Sequence, residues 1–224
     1  MIVLALDTAG ADCAAAVYDT ASRHLLSEVT ETIGRGHAER LMAVIDAALD
    51  KAQVTLDDVG RIAVTVGPGS FTGIRVGVAT ARGLALALGV EAVGISTLDV
   101  LAAEALDSRR KAGRDDARPV LVAMDAKRGE AYLQLFSATG RPLDDAVVLP
   151  IGEVSEIAGG QTVDIVGSAG PLLAGETSPG PADCFPIGRV ARLALTARSG
   201  KPKPLYLRGP DAKPQTGFAV ARQG

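Results

Sequence analysis

Apolar residues gather along this chain in short runs broken by glycine and charge, with longer helical patterns between them. Residues 2–6 are an apolar run that stops at Asp7-Thr8-Ala9-Gly10, and residues 13–18 resume it. Two such runs around a tight turn predict a pair of antiparallel strands, and residues 27–33 offer a third. Gly34-Arg35-Gly36-His37 then leads into a helix, because Leu41, Val44, Ile45, Ala48, Leu49 and Ala52 recur at helical spacing. A fourth strand is expected over 61–66. The segment GPGSFTGIRVG (67–77) comes next, and a second helix runs from about Thr72 to Leu88 and stops at Gly89. Residues 92–95 read as another strand, and Ser96 and Asp99 are spaced like a capping box opening a third helix.

From 107 to 118 the chain reads DSRRKAGRDDAR, nearly all charged or small, which marks a boundary between two lobes. Beyond it, VLVAMDAKRGEAYLQLF (120–136) repeats the opening plan: apolar run, Asp125, a turn with Gly129, apolar run. Asp125 stands where Asp7 stood. Two hairpins of one design, each heading its own half, suggest an internal duplication; chance likeness of two short hairpins is the alternative. The expected division is an N-terminal lobe (1–106), a charged linker (107–118), a C-terminal lobe (119–208) and a flexible tail (209–224). Within the second lobe, 164–167 reads as strand into turn, 175–186 as a Pro/Gly-rich loop and 186–198 as a last amphipathic helix. The Pro- and Lys-rich stretch after Gly200 is expected to be extended and partly mobile.

Composition narrows the class. A chain of 224 residues buries roughly 70% or more of its unfolded surface, so its core needs no disulfide or metal. Hydrophobic residues make up 47% but aromatics only 3%, with no Trp, so the core is Ala, Val, Leu and Ile, suited to close α/β layers. A net charge of −3 gives no global field for nucleic acid. Cys13 and Cys184, far apart, speak for a reducing compartment rather than a disulfide framework. The opening MIVLALDTAG lacks a basic n-region and carries Asp7, unlike a signal peptide. No apolar run approaches the ~20 residues of a membrane-spanning helix, so a cytoplasmic protein without a membrane partner is expected.

GPGSFTGIRVG sits between a strand and a helix, where backbone N–H groups hold anions, yet three templates fail. A Walker A loop needs Gly-Lys-Ser/Thr, and Gly73 is followed by Ile74 and Arg75. The dinucleotide fingerprint needs glycine at Thr72, and a nucleophile elbow needs glycines at Pro68 and Thr72. A tight turn remains, with Ser70 or Thr72 capping the helix and Phe71 packing inward. Gly73, Gly77, Ala81 and Ala85 draw a stripe of small side chains, suited to close packing on the chain's own sheet or on another chain's helix. His37 cannot pair with a second metal ligand four residues on, because Leu41 stands there. His24 falls in an expected turn. Asp7 and Asp125 read as turn organisers ahead of a catalytic pair.

These segments resemble the TsaB (YeaZ) family of bacterial tRNA threonylcarbamoyladenosine biosynthesis proteins. The likeness rests on LALDTA (4–9), GHAERL (36–41), VTVGPGSFTGIRVGVATARGLA (64–85), GISTLDVLA (94–102), MDAKRGEAY (124–132) and PLYLR (204–208), in order along nearly the whole chain. It implies an α/β fold of the actin/Hsp70/sugar-kinase (ASKHA) type, built from duplicated ribonuclease-H-like lobes. It also implies a non-catalytic partner of the metal-containing TsaD subunit, joined by the ATPase TsaE, acting on the tRNA adenosine beside the anticodon. TsaD carries two histidines four apart on a helix, and Leu41 at the second position fits a partner without them. No cofactor is expected of this chain itself, with ATP or ADP held within the complex; Asp7, Thr8 and Gly10 are the candidates should it bind a nucleotide. The implied contact surface is the first two helices, with His37, Leu41, Val44, Ile45, Ala48, Gly73, Ile74, Gly77, Val78, Ala81 and Ala85 as candidate interface residues, and a homodimer through the same surface when the partner is absent. Two rival enzymes share the fold or the superfamily: an ATP-dependent small-molecule kinase and a glycoprotease-type metallopeptidase. The basic C-terminal residues Arg198, Lys201, Lys203, Arg208 and Lys213 are candidates for touching tRNA.

Overall fold

The computed structural model describes residues 1–114, 117–156, 162–197 and 200–208. The expected flexible tail, with Lys213, and Arg198 lie outside the described residues. Three strands open the chain: β1 (Ile2–Asp7), β2 (Asp12–Asp19) and β3 (His24–Thr32). They are followed by α1 (His37–Ala52), β4 (Val59–Gly67), α2 (Phe71–Leu88), β5 (Glu91–Ser96) and α3 (Thr97–Lys111). The first sheet has the order β3-β2-β1-β4-β5. β1 pairs antiparallel with β2 and parallel with β4. All five residues from Val3 to Asp7 are buried, as a central strand covered on both faces demands. His24 begins β3 and is not in a turn, a difference from expectation.

The second half contains β6 (Val120–Lys127), β7 (Glu130–Phe136), β8 (Val147–Pro150) and β9 (Asp164–Val166). Its sheet has the order β8-β7-β6-β9, with β6–β7 and β7–β8 antiparallel and β9 parallel to β6. This is the first sheet's plan without its last strand: three antiparallel strands, then a crossover to a parallel neighbour. The duplication suggested by the two hairpins is present in the topology. Two short helices complete this half, α4 (Gly170–Leu173) and α5 (Ile187–Leu193).

The lobe boundaries differ from the sequence division. The first five residues of the expected linker complete α3, whose Asp107 accepts from Arg189 at 2.7 Å. α5 does not stay with the second sheet but packs on β1 and β2. The 201–208 stretch is also docked: Leu205 N donates to the Val66 carbonyl at 2.8 Å, and Arg208 pairs with Glu130. The physical reason is apolar cover. Ile187, Val190, Ala191 and Ala194 are buried in the same core as β1, β2 and α1, and Val120, Val122, Met124 and Phe136 join it from β6 and β7. Leu121, Ala123, Ala131 and Leu133 face a smaller second core.

α2 is 18 residues long with mean hydropathy 1.3, enough by length and composition to cross a bilayer, which corrects the expectation that no run comes close. Here one of its faces lies on the chain's own sheet, through Gly73, Ile74, Gly77, Val78, Ala81 and Ala85.

Candidate functional site

The turn after β1 and the turn after β6 open toward each other across a cleft of about 440 Å³. Ala9, Gly10 and Ala11 line it from the first turn, Gly69 and Ser70 from the glycine-rich loop, and Asp125, Lys127, Tyr132, Ser168 and Asp183 from the second half.

Each turn is organised by its aspartate. The Asp7 carboxylate accepts from Ala9 N at 3.0 Å and from Thr65 Oγ1 at 2.5 Å. It is buried, and that burial pushes its carboxyl from the ordinary 3.8 to about 6, against the lowering effect of the Thr65 hydrogen bond. Asp125 accepts from Lys127 N at 2.8 Å and from Lys127 Nζ at 2.6 Å. Its own amide donates to Ser168 Oγ, which in turn donates to Asp183 at 2.5 Å. Burial raises the Asp183 carboxyl above its ordinary range, with the Asp125 charge adding to the effect. Burial likewise pushes the Cys13 thiol up to about 11, so it is a packing residue rather than a nucleophile.

The glycine-rich loop owes its sequence to close backbone approach. A Cβ on Gly73 would lie 1.9 Å from the Thr8 carbonyl oxygen, one on Gly69 2.3 Å from that of Ala9, and one on Gly77 2.5 Å from Thr8 Oγ1. Thr8 Oγ1 donates to the Gly73 carbonyl at 2.7 Å, and Ser70 N donates to the Ala9 carbonyl at 2.7 Å. Ser70 Oγ caps α2 by accepting from Gly73 N, as expected. The amides of Ser70 and Gly73 are therefore committed to internal partners, which weakens this helix start as an anion cradle. Phe71 does not pack inward: it is 55% exposed, with the Arg75 guanidinium 3.8 Å over its ring.

Of the three nucleotide candidates, Gly10 alone lines the cleft; Asp7 and Thr8 are sealed beneath it. Phe185 fills the space beside Gly10, its ring 3.3 Å from where a Cβ would stand. The eleven candidate interface residues need a correction. His37, Leu41, Val44, Ile45, Ala48, Gly73, Ile74, Gly77, Val78, Ala81 and Ala85 are all buried within this one chain. Helical periodicity identifies the right stripe, but it is the face that the helices turn to their own sheet. The faces left outward carry Glu39, Met42, Ala43, Asp46 and Ala47 on α1, and Arg75, Ala79, Arg82, Gly83 and Leu86 on α2. His37 Nε2 lies 3.1 Å from the Asp12 carbonyl, and Leu41 is core. Among the described residues no group of His, Cys, Asp and Glu has the geometry to hold a metal ion. Ser168, Asp183 and Phe185 carry no signal in the sequence, because they lie in a loop-rich stretch without periodicity.

A family model described as "TsaD: tRNA N6-adenosine threonylcarbamoyltransferase" matches residues 24–174. An uncharacterized protein of Mycobacterium tuberculosis is 31% identical over 213 residues, covering 95% of this chain and 94% of its own. The Escherichia coli tRNA threonylcarbamoyladenosine biosynthesis protein TsaB is 37% identical over 134 residues, 59% of this chain and 53% of that protein. YeaZ from Pseudomonas aeruginosa superimposes with a TM-score of 0.74 at 29% identity, over 92% of this chain and 99% of that structure. Two sheets of one plan facing a shared cleft define the ASKHA class of duplicated ribonuclease-H-like folds. Within that class, the chain belongs to the TsaB (YeaZ) family.

Proposed function

We propose that this chain is the non-catalytic partner of a TsaD-type threonylcarbamoyl transferase in making N6-threonylcarbamoyladenosine in tRNA. The reading is supported by the family, whose named members are tRNA threonylcarbamoyladenosine biosynthesis proteins. One observation carries the non-catalytic part. The helix position where the catalytic relative has its second histidine is Leu41, 1% exposed and part of the core, so no side-chain rotation brings a ligand there. His37 is held toward the Asp12 carbonyl. A TsaE-type ATPase completes the complex, ATP or ADP belongs to the assembly, and a homodimer forms when the partner is missing. Docking uses the outward faces of α1 and α2, where Ala43, Ala47, Ala79 and Gly83 permit close helix approach.

Reconstitution tests this. Unmodified tRNA is incubated with a TsaD-type transferase, a TsaE-type ATPase, ATP and threonylcarbamoyl precursors, with and without this chain, and the modified nucleoside is quantified by mass spectrometry. Product should require the chain and should be absent with the chain alone. Equal yield without it, or product from it alone, overturns the proposal.

A further inference from the structure

The stretch between α4 and α5 crosses the cleft, from the second half to the helix that covers the first sheet. It contributes Pro179, Gly180, Ala182, Asp183 and Phe185 to the cleft lining, so it forms one wall. Its composition leaves little to hold it down. Pro179, Pro181 and Pro186 have no N–H to donate, and no regular structure forms from Glu176 to Pro186. Both ends are fixed. Glu176 N donates to the Pro171 carbonyl at 3.0 Å, and Phe185 is buried in the main core beside Gly10.

Between those ends, among the described residues, every hydrogen bond from 177–184 to another part of the chain ends on Ser168. Gly180 N donates to the Ser168 carbonyl at 2.8 Å, Ser168 N donates to Asp183 Oδ1 at 2.8 Å, and Ser168 Oγ donates to Asp183 Oδ2. Ser168 itself cannot follow the loop outward. It comes directly after Gly167, whose φ of +103° and approach to the Ala123 carbonyl leave no room for a side chain, and Ala169 N donates to that same carbonyl at 2.9 Å. Its Oγ also accepts from Asp125 N, which ties it to the turn after β6. One rigid residue therefore holds a loosely attached wall. Closure also takes the Asp183 carboxyl partly out of water, a cost set against those three bonds.

We infer that residues 177–184 are a lid on the cleft, latched at Ser168, that lifts between its fixed ends while both sheets stay folded. Segments that open locally have few buried apolar contacts and few backbone hydrogen bonds. This one has both traits, since Thr177, Ser178, Pro179, Pro181 and Ala182 are all exposed. Lifting it bares Ala9, Met124 and Ala126, which line the cleft but are each at most 5% exposed. Because both ends of the lid stay in place over about 440 Å³, it admits a small molecule rather than a macromolecule. The device uses no residue of the outward faces of α1 and α2 and is independent of the partner role proposed above.

Amide exchange followed by NMR on the full chain tests this. In the unaltered protein the Ser168 and Gly180 amides should exchange faster than that of Ala169, whose bond lies within the second half. Asp183→Ala should speed exchange at Ser168 and Gly180 by about tenfold or more and leave Ala169 unchanged. Asp183→Asn, which keeps one of the two acceptor oxygens, should fall between. A neutral gadolinium chelate should broaden the signals of Ala9, Met124 and Ala126 more in Asp183→Ala than in the unaltered protein. The two cysteines report on the rest of the fold: a maleimide should react with exposed Cys184 and spare buried Cys13 in every variant. Ala169 exchanging in step with Ser168, or reaction at Cys13, means that loop and sheets open together and overturns the inference. Unchanged exchange at Ser168 and Gly180, or unchanged broadening at the cleft residues, overturns it as well.

Discussion

The two hairpins share a plan, yet their aspartates live in different worlds. Asp7 is sealed under α2, whereas Asp125, its side chain 8% exposed, lines the cleft and is paired to a lysine side chain that is itself 77% exposed. The difference comes from the helix after each sheet's parallel strand. After β4, an 18-residue helix starts with glycines that let its backbone touch the Asp7-Thr8-Ala9 turn. After β9, the equivalent helix is the four-residue α4. The contact at its start survives: a Cβ on Gly167 would lie 2.4 Å from the Ala123 carbonyl, to which Ala169 N donates at 2.9 Å. The second copy kept the turn chemistry and lost the lid. A duplicated topology, then, does not duplicate an environment; the length of one helix decides whether a carboxylate is sealed off or left at the cleft beside a lysine.

Four tests sharpen that contrast. The strongest strikes the helix that the second half lacks: Ala81→Arg puts an unpaired charge at a site with no exposure, and a loss of about 3–5 kcal/mol is expected in urea unfolding of the single chain. Ala79→Arg, on the outward face, should stay within about 0.5 kcal/mol. A folded, stable Ala81→Arg protein would show that α2 does not lie on this sheet. Next come the two glycine contacts. Gly73→Ala drives a methyl group into the Thr8 carbonyl and should cost roughly 3 kcal/mol. Gly167→Ala combines a clash with a φ of +103° and should cost about 2 kcal/mol, since less structure depends on it. Equal losses would mean that the short helix carries more than its length suggests.

The third test is pH. Below about pH 4 Asp7 is protonated in both states; between about 4 and 6 the unfolded chain releases a proton that the folded chain keeps. Stability should fall as pH rises through that window and stay down above it. Asp7→Asn, which keeps an acceptor for Ala9 N and Thr65, should remove that dependence and gain roughly 1–3 kcal/mol at pH 7, read from unfolding curves at both pH values. Lys127→Met should be the mildest, within about 1 kcal/mol, because its ion pair is solvent-screened.

Much of the fold was legible. The strands of the first sheet, α1, α2 and both hairpins follow from period-two and period-3.6 patterns that burial on a sheet enforces. The last helix extends only over Ile187–Leu193, and β8 had no signal, since Val147–Pro150 is too short to show alternation. Which lobe α5 joins is invisible in sequence, because an amphipathic stripe says that a face is buried but not against what. The same limit misdirected the interface residues: the stripe of Gly73, Gly77, Ala81 and Ala85 is core. The cleft's Ser168–Asp183 pair was hidden for another reason, since hydrogen bonds between loops leave no periodicity.

The placement of α5 bears on the order in which the molecule can be completed. β1 and β2 emerge long before α5 during synthesis, yet one of their covers is made from residues 187–193. Until the ribosome has passed that point, the opening strands hold bare hydrocarbon toward water, so the chain must be made as far as Leu193 before this sheet is finished. Such distant pairing slows maturation and prolongs exposure to aggregation and chaperones.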